Sequence, residues 1–172
     1  MFSGGVGSLN CVELVKWRPK RKHAKNHSPT RKVVGITNYD RCMKEYWGIT
    51  EVDNKTFTPQ YYIKKLKKLG YDAVMIFETS KGYHFYIDYH HKNPLKVYHK
   101  LVKTKLFDRG HLSLARKRPE EWYGRLILRI SPKYYRYDIT PVYVNEEKMS
   151  DWHREILSLL IMYQSGVLVA TD

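Results

Sequence analysis

A chain of 172 residues with 42% hydrophobic and 28% charged content is long enough for one buried core and short for two, which excludes an intrinsically disordered protein. No apolar run approaches the length of a membrane span, so a membrane partner is not expected. The 31 Lys and Arg against 17 Asp and Glu leave a formal net charge of +14, a self-repulsion commonly retained where a polyanion binds. Nucleic acid is therefore the expected partner, DNA ahead of RNA, and the 15 tyrosines and four tryptophans suit stacking on unpaired bases.

The N-terminal "MFSGGVGSLNCVELVKW" has no basic segment followed by an apolar one, and its "GGVG" lacks the GK[ST] of a phosphate loop. Cys11 and Cys42 have neither zinc nor disulfide-framework spacing, which leads us to expect a reduced, cytoplasmic protein. Scarce glutamine beside abundant Lys, Arg and Tyr is compatible with life at high temperature.

Residues 1–32 are expected to form a basic arm. The stretch "KWRPKRKHAKNHSPTRK", 16–32, contains no acid and breaks helix repeatedly, so Lys16, Arg18, Lys20, Arg21, Lys22 and Lys25 are candidate nucleic-acid contacts. A single α+β domain is expected over 33–166, then a tail at 167–172. The run "VVGIT", 33–37, predicts the first buried strand, with Asp40 in the loop after it.

The run "TPQYYIKKLKKLG" predicts a helix with Thr58 as N-cap, Pro59 in its first turn, Tyr62, Leu66 and Leu69 on one face and Gly70 as terminator. A hairpin is expected over 73–79 and 83–89, then a helix capped by Asn93 and Pro94. "RGHLSLARKR" reads as a strand or extended segment, and its Arg116, Lys117 and Arg118 as further nucleic-acid contacts. "GRLILRIS" predicts a strand, and "YRYDITPVYV" another whose Pro141 puts it at an edge or an end. Trp152, Ile156, Leu159, Leu160 and Tyr163 recur at helical spacing and stop before Gly166, predicting a final helix over the sheet.

Alternation along "YHFYIDY" places His84, Tyr86 and Asp88 on one face and Tyr83, Phe85 and Ile87 on the other. The same period sets Arg129 apart from Leu128 and Ile130, and Asp138 apart from Ile139. Three strands can thus offer an imidazole, a guanidinium and a carboxylate to one surface, where cations bind phosphate and a carboxylate holds a divalent metal. The tip "SKG" adds Lys81 and a glycine that permits close backbone approach. A sheet with one face in water also carries such residues.

The order strand, helix, "TSKGYHFYI", helix, "LRISPKY" and "RYDI" resembles the archaeo-eukaryotic primase superfamily, including small members carried by plasmids and viruses. The resemblance spans roughly residues 33–144. It implies an α+β fold with a mixed, mainly antiparallel sheet, helices packed on one side and an RRM-related core. It also implies a role in DNA replication as a primase or polymerase-like nucleotidyltransferase. By that resemblance Ser80, Lys81, His84, Arg129 and Lys133 would bind nucleotide phosphates. His84, Asp40 and Asp138 would be catalytic, and the two aspartates would hold Mg2+ or Mn2+. The family's early pair of alternate acids is reduced in "GITNYD" to Asp40. Two other readings stand beside this one: a non-catalytic protein binding single- or double-stranded DNA, and a metal-dependent nuclease or rolling-circle initiator, although no His-x-His occurs.

Overall fold

The structure is a computed structural model that describes residues 10–19, 32–133 and 137–170. Lys20, Arg21, Lys22 and Lys25 of the expected basic arm lie outside the described residues.

Apolar, β-branched and aromatic runs bounded by polar turns form β1 (Val12–Trp17), β2 (Val33–Asp40), β3 (Glu45–Val52), β4 (Ala73–Glu78), β5 (Tyr83–His91), β6 (Ile127–Arg129) and β7 (Thr140–Val144). They build a sheet in the order β1-β2-β3-β5-β4-β7, with β6 pairing β2, and every pairing among the described strands is antiparallel. β2 pairs β3 only at Tyr39–Tyr46 and Asp40–Glu45, beside the turn, and its other end pairs β6 through Gly35, Ile36 and Thr37. Pro141 is tolerated because β7 closes the strand order at one edge.

The helices follow their caps. In α1 (Pro59–Lys68) the Thr58 side chain accepts from Tyr61 N, and Gly70 takes the left-handed backbone, φ 89°, that ends the helix. In α2 (Pro94–Thr104) Asn93 accepts from Leu95 N. The segment expected as extended is instead α3 (Arg109–Leu114): the Asp108 side chain accepts from Gly110 N, and this cap outweighs the period-two look of "HLSL". α4 (Asp151–Gln164) buries Trp152, Ile156, Leu159, Leu160 and Tyr163.

Helices cover both faces of the sheet, where one covered side was expected. Phe85 meets Tyr62 of α1 with ring centroids 4.8 Å apart, while its strand neighbour Tyr86 meets Trp152 of α4 at 6.2 Å. Adjacent residues of a strand point to opposite faces, so α1 and α4 lie on opposite sides. For the same reason β5 has no solvated face at its centre, and Phe85, Tyr86 and Ile87 are all buried.

Two expectations at the N-terminal end are corrected. Residues 12–17 are not arm but strand, paired with β2 from Val12–Asp40 to Trp17–Val33, with a register shift between Val12 and Leu14. Cys11 and Cys42 are not free thiols but a disulfide joining the start of β1 to the β2–β3 turn. Glu155 of α4 holds the same strand end, accepting from Cys11 N at 2.9 Å and Val12 N at 3.3 Å. No helix among the described residues is long and apolar enough to cross a membrane.

His153 ties α4 to pH. Its Nδ1 accepts from Ser150 N at 3.2 Å in a capping box, so the ring is neutral with its proton on the buried, unpartnered Nε2. Burial, then the nearby His90, push its pKa down to about 3 from 6.5. The unfolded chain therefore binds a proton that the folded chain refuses. Stability is full above pH 6.5 and falls below it, by up to about 1.4 kcal/mol per pH unit. His153→Gln keeps an acceptor for the capping box without the titration. Urea denaturation at pH 7 and pH 4.5 should show a smaller acid loss for the variant than for the parent.

Candidate functional site

Gly82 organises the site. At the β4–β5 tip Thr79 N donates to Gly82 O at 2.9 Å and Gly82 N donates to Thr79 Oγ1 at 3.0 Å. A Cβ on residue 82 would sit 1.8 Å from Val52 O and 2.9 Å from Asn54 N, so only glycine lets the tip pack against the end of β3. The glycine thereby sets Ser80, Lys81 and His84 beside Glu51 and Asp53.

These residues line a cavity of about 680 Å³. β1 contributes Val15 and Trp17, β6 contributes Arg129, and the flanking segments contribute Arg118, Lys133 and Asp138, with His111 from α3. Of the residues expected to serve phosphate, Ser80, Lys81, His84, Arg129 and Lys133 all reach this cavity, as does the expected catalytic Asp138. Among the other expected nucleic-acid contacts, Arg118 lines it and donates from Nε to Arg125 O at 2.9 Å, Arg116 lies over the Tyr98 ring, and Lys16, Arg18 and Lys117 are exposed.

Asp40 is placed elsewhere. Its Oδ1 accepts from Cys42 N at 2.9 Å and Met43 N at 3.1 Å, and its Oδ2 from Trp47 Nε1 at 2.9 Å, so the buried carboxylate closes the β2–β3 turn. Roughly 16 Å of strand separates it from Gly35, the partner of Arg129. It is a turn residue and does not join the cavity.

Asp138 and Arg129 form a two-pronged ion pair, Nη2–Oδ2 at 2.7 Å and Nη1–Oδ1 at 3.3 Å. Arg129 also donates to Ser131 O, and Gln164 Nε2 donates to Asp138 Oδ1 at 3.3 Å and to Ile130 O at 2.9 Å. Both oxygens of Asp138 are thus engaged within the chain.

His84 faces Glu51, with Nε2 and Oε2 3.3 Å apart. Burial pushes the imidazole pKa down, and the opposing pull of the Glu51 carboxylate does not cancel it, so the neutral ring donates its Nε2–H. Burial alone would raise the Glu51 carboxyl. The hydrogen bond donated by His84, then the neighbouring His111 and Arg129, bring it down to about 2. His84 Nδ1 is buried with no partner.

The sequence reading missed the acids that stand closest together. Glu51, Asp53 and Asp108 each offer a carboxylate oxygen within 4.8 Å of the other two. Burial, then the neighbouring carboxylates Glu51 and Asp108, push the Asp53 pKa up, against the smaller opposing pull of Lys81 and His84. Hard oxygen donors of this kind fit Mg2+ or Mn2+. The signal was in "TEVDN", two alternate acids at a strand end, one strand later than the place where the pair was sought. A second grouping, Cys11, Asp40 and Cys42, is unsuited to metal because its sulfurs are bonded to each other.

The fold and cavity define an α+β protein with a mainly antiparallel sheet and a mixed-charge cleft at one end. No family model matches the chain, and neither the curated proteins nor the solved structures include a significant match.

Proposed function

We propose that the protein binds nucleic acid and a nucleoside triphosphate and extends a strand by metal-assisted nucleotidyl transfer, on a primase-like core. The observation that carries the reading is the meeting of Ser80, Lys81, His84, Arg129, Lys133 and Asp138, drawn from distant segments, with the acids Glu51 and Asp53 in one cavity. Lys81, Arg118 and Lys133 would hold the triphosphate. Glu51, Asp53 and Asp108 would hold a divalent cation, which neutralises phosphate charge and activates the attacking hydroxyl. In the transfer the strand's 3′ oxygen bonds to the α-phosphorus, the bond from that phosphorus to the β-phosphate bridging oxygen breaks, and pyrophosphate leaves while the hydroxyl proton passes to water.

One observation favours a second reading, binding without chemistry: Asp138, the late acid of the resemblance, is tied up by Arg129 and Gln164. A primer-extension assay with labelled nucleotides and Mn2+ separates the two. Incorporation should fall at least about 100-fold in Asp53→Asn, a loss of roughly 2.7 kcal/mol of barrier lowering. Strand affinity should survive the substitution and drop steeply between low and physiological salt. No incorporation by the parent protein leaves the second reading, cleavage in the absence of nucleotides points to a nuclease, and salt-indifferent affinity removes nucleic acid altogether.

A further inference from the structure

Asp53 also lines a second cavity, of about 420 Å³, between the end of β3, the start of α1 and the α2–α3 connection. Its walls are rings: Phe57, Tyr61, Tyr62 and Phe107. Phe57 lies parallel to Tyr61, centroids 4.0 Å apart and planes 13° apart, and meets Tyr62 edge-on at 6.2 Å. Phe57 precedes the cap of α1, where an apolar side chain commonly packs on the first turn. That duty needs only grease, and it leaves Phe57 43% exposed.

We infer that this cavity is a stacking site for the 3′-terminal base of a single strand, a reading that rests on the transfer reaction proposed above. An open ring on a parallel aromatic pair continues naturally with one more flat ring, and such stacking tolerates any base. The lining carries both signs of charge. Asp53 and Asp108, whose carboxylate oxygens lie within 4.8 Å of each other, and Lys105 all line the cavity. The acids repel a phosphate and accept from a sugar hydroxyl or a base amino group, whereas Lys105 suits the phosphate that links the terminal nucleotide to its strand. Asp53 borders both cavities. A base stacked here brings its sugar to an acid that also lines the triphosphate cleft, the proximity that joining two nucleotides requires.

The probe is 2-aminopurine, whose fluorescence is quenched by stacking, placed at the 3′ end or the interior of a single-stranded oligonucleotide, or supplied as the free riboside. Titrations run in EDTA without triphosphate. The 3′-terminal probe should be quenched at least twofold by the parent protein, and Phe57→Leu and Tyr61→Leu, which keep apolar packing at the helix start, should each remove most of that quenching. Equal quenching in parent and both variants, or equal quenching of the interior probe, overturns the site. Quenching confined to the free riboside overturns the strand-end assignment. Because the readout involves no incorporation, ring-dependent quenching in a protein that incorporates nothing sinks only the transfer reading, and incorporation with ring-independent quenching sinks only this site.

Discussion

Asp138→Ala should destabilise the fold by about 3–5 kcal/mol, the cost of leaving a largely buried guanidinium without its carboxylate. Arg129 and Asp138 keep side-chain exposures of 16% and 8%, and two hydrogen bonds join them. Coulomb attraction at that depth does little more than repay the removal of both charges from water, so the pair is worth less than either loss suggests. A double variant, Arg129→Met with Asp138→Leu, should therefore recover most of the stability that Asp138→Ala loses. Urea denaturation of the three proteins gives the comparison, and a double variant no more stable than Asp138→Ala would show that the pair itself contributes the energy. This is also why the test of catalysis uses the exposed Asp53: lost activity in Asp138→Ala would mix chemistry with unfolding.

Reduction of the Cys11–Cys42 bridge should lower stability by about 3–4 kcal/mol, on the chain-entropy argument for two cysteines with a sequence separation of 31. In a chain of this length the melting temperature should fall by about 10 °C. β1 is an edge strand, and apart from its ladder with β2 its first residues are held by this bond and by Glu155. The loss should begin there, with early hydrogen exchange in 12–17. Melting the protein with and without dithiothreitol, beside Cys42→Ser, is the measurement. An unchanged melting temperature would mean that strand pairing, Glu155 and the bonds of Glu13 to Thr37 and Arg125 secure β1 without the bridge. Since Val15 and Trp17 line the larger cavity, fraying of β1 would also open one of its walls.

Much of this molecule follows from local rules. Thr58 with Pro59, Asn93 with Pro94, and the apolar spacing from Trp152 to Tyr163 each announce a helix, because a cap and a stripe are properties of neighbouring residues. The hairpin at 73–89 and the polar tip that carries Ser80 and Lys81 were legible for the same reason. Where the signal was mixed the reading erred: "HLSL" alternates like a strand, and the cap at Asp108 makes it a helix. Likewise "VELVKW" adjoins a charged stretch that reads as an arm, although pairing with β2 recruits it to the sheet.

The amino-acid sequence by itself determined most of the element types, the basic balance and the polar hairpin tip beside His84. Tertiary structure alone decided which carboxylates join that tip. Strand pairing brings Glu51 opposite His84, and the missing side chain of Gly82 lets the hairpin tip settle on the β3 end that carries Asp53. Asp40 is drawn instead into a turn closed by Trp47, and Cys11 meets Cys42 across strands distant in the chain. Periodicity reports the side of an element on which a residue lies. Register and close packing, which depend on contacts far apart in the chain, determine what it faces.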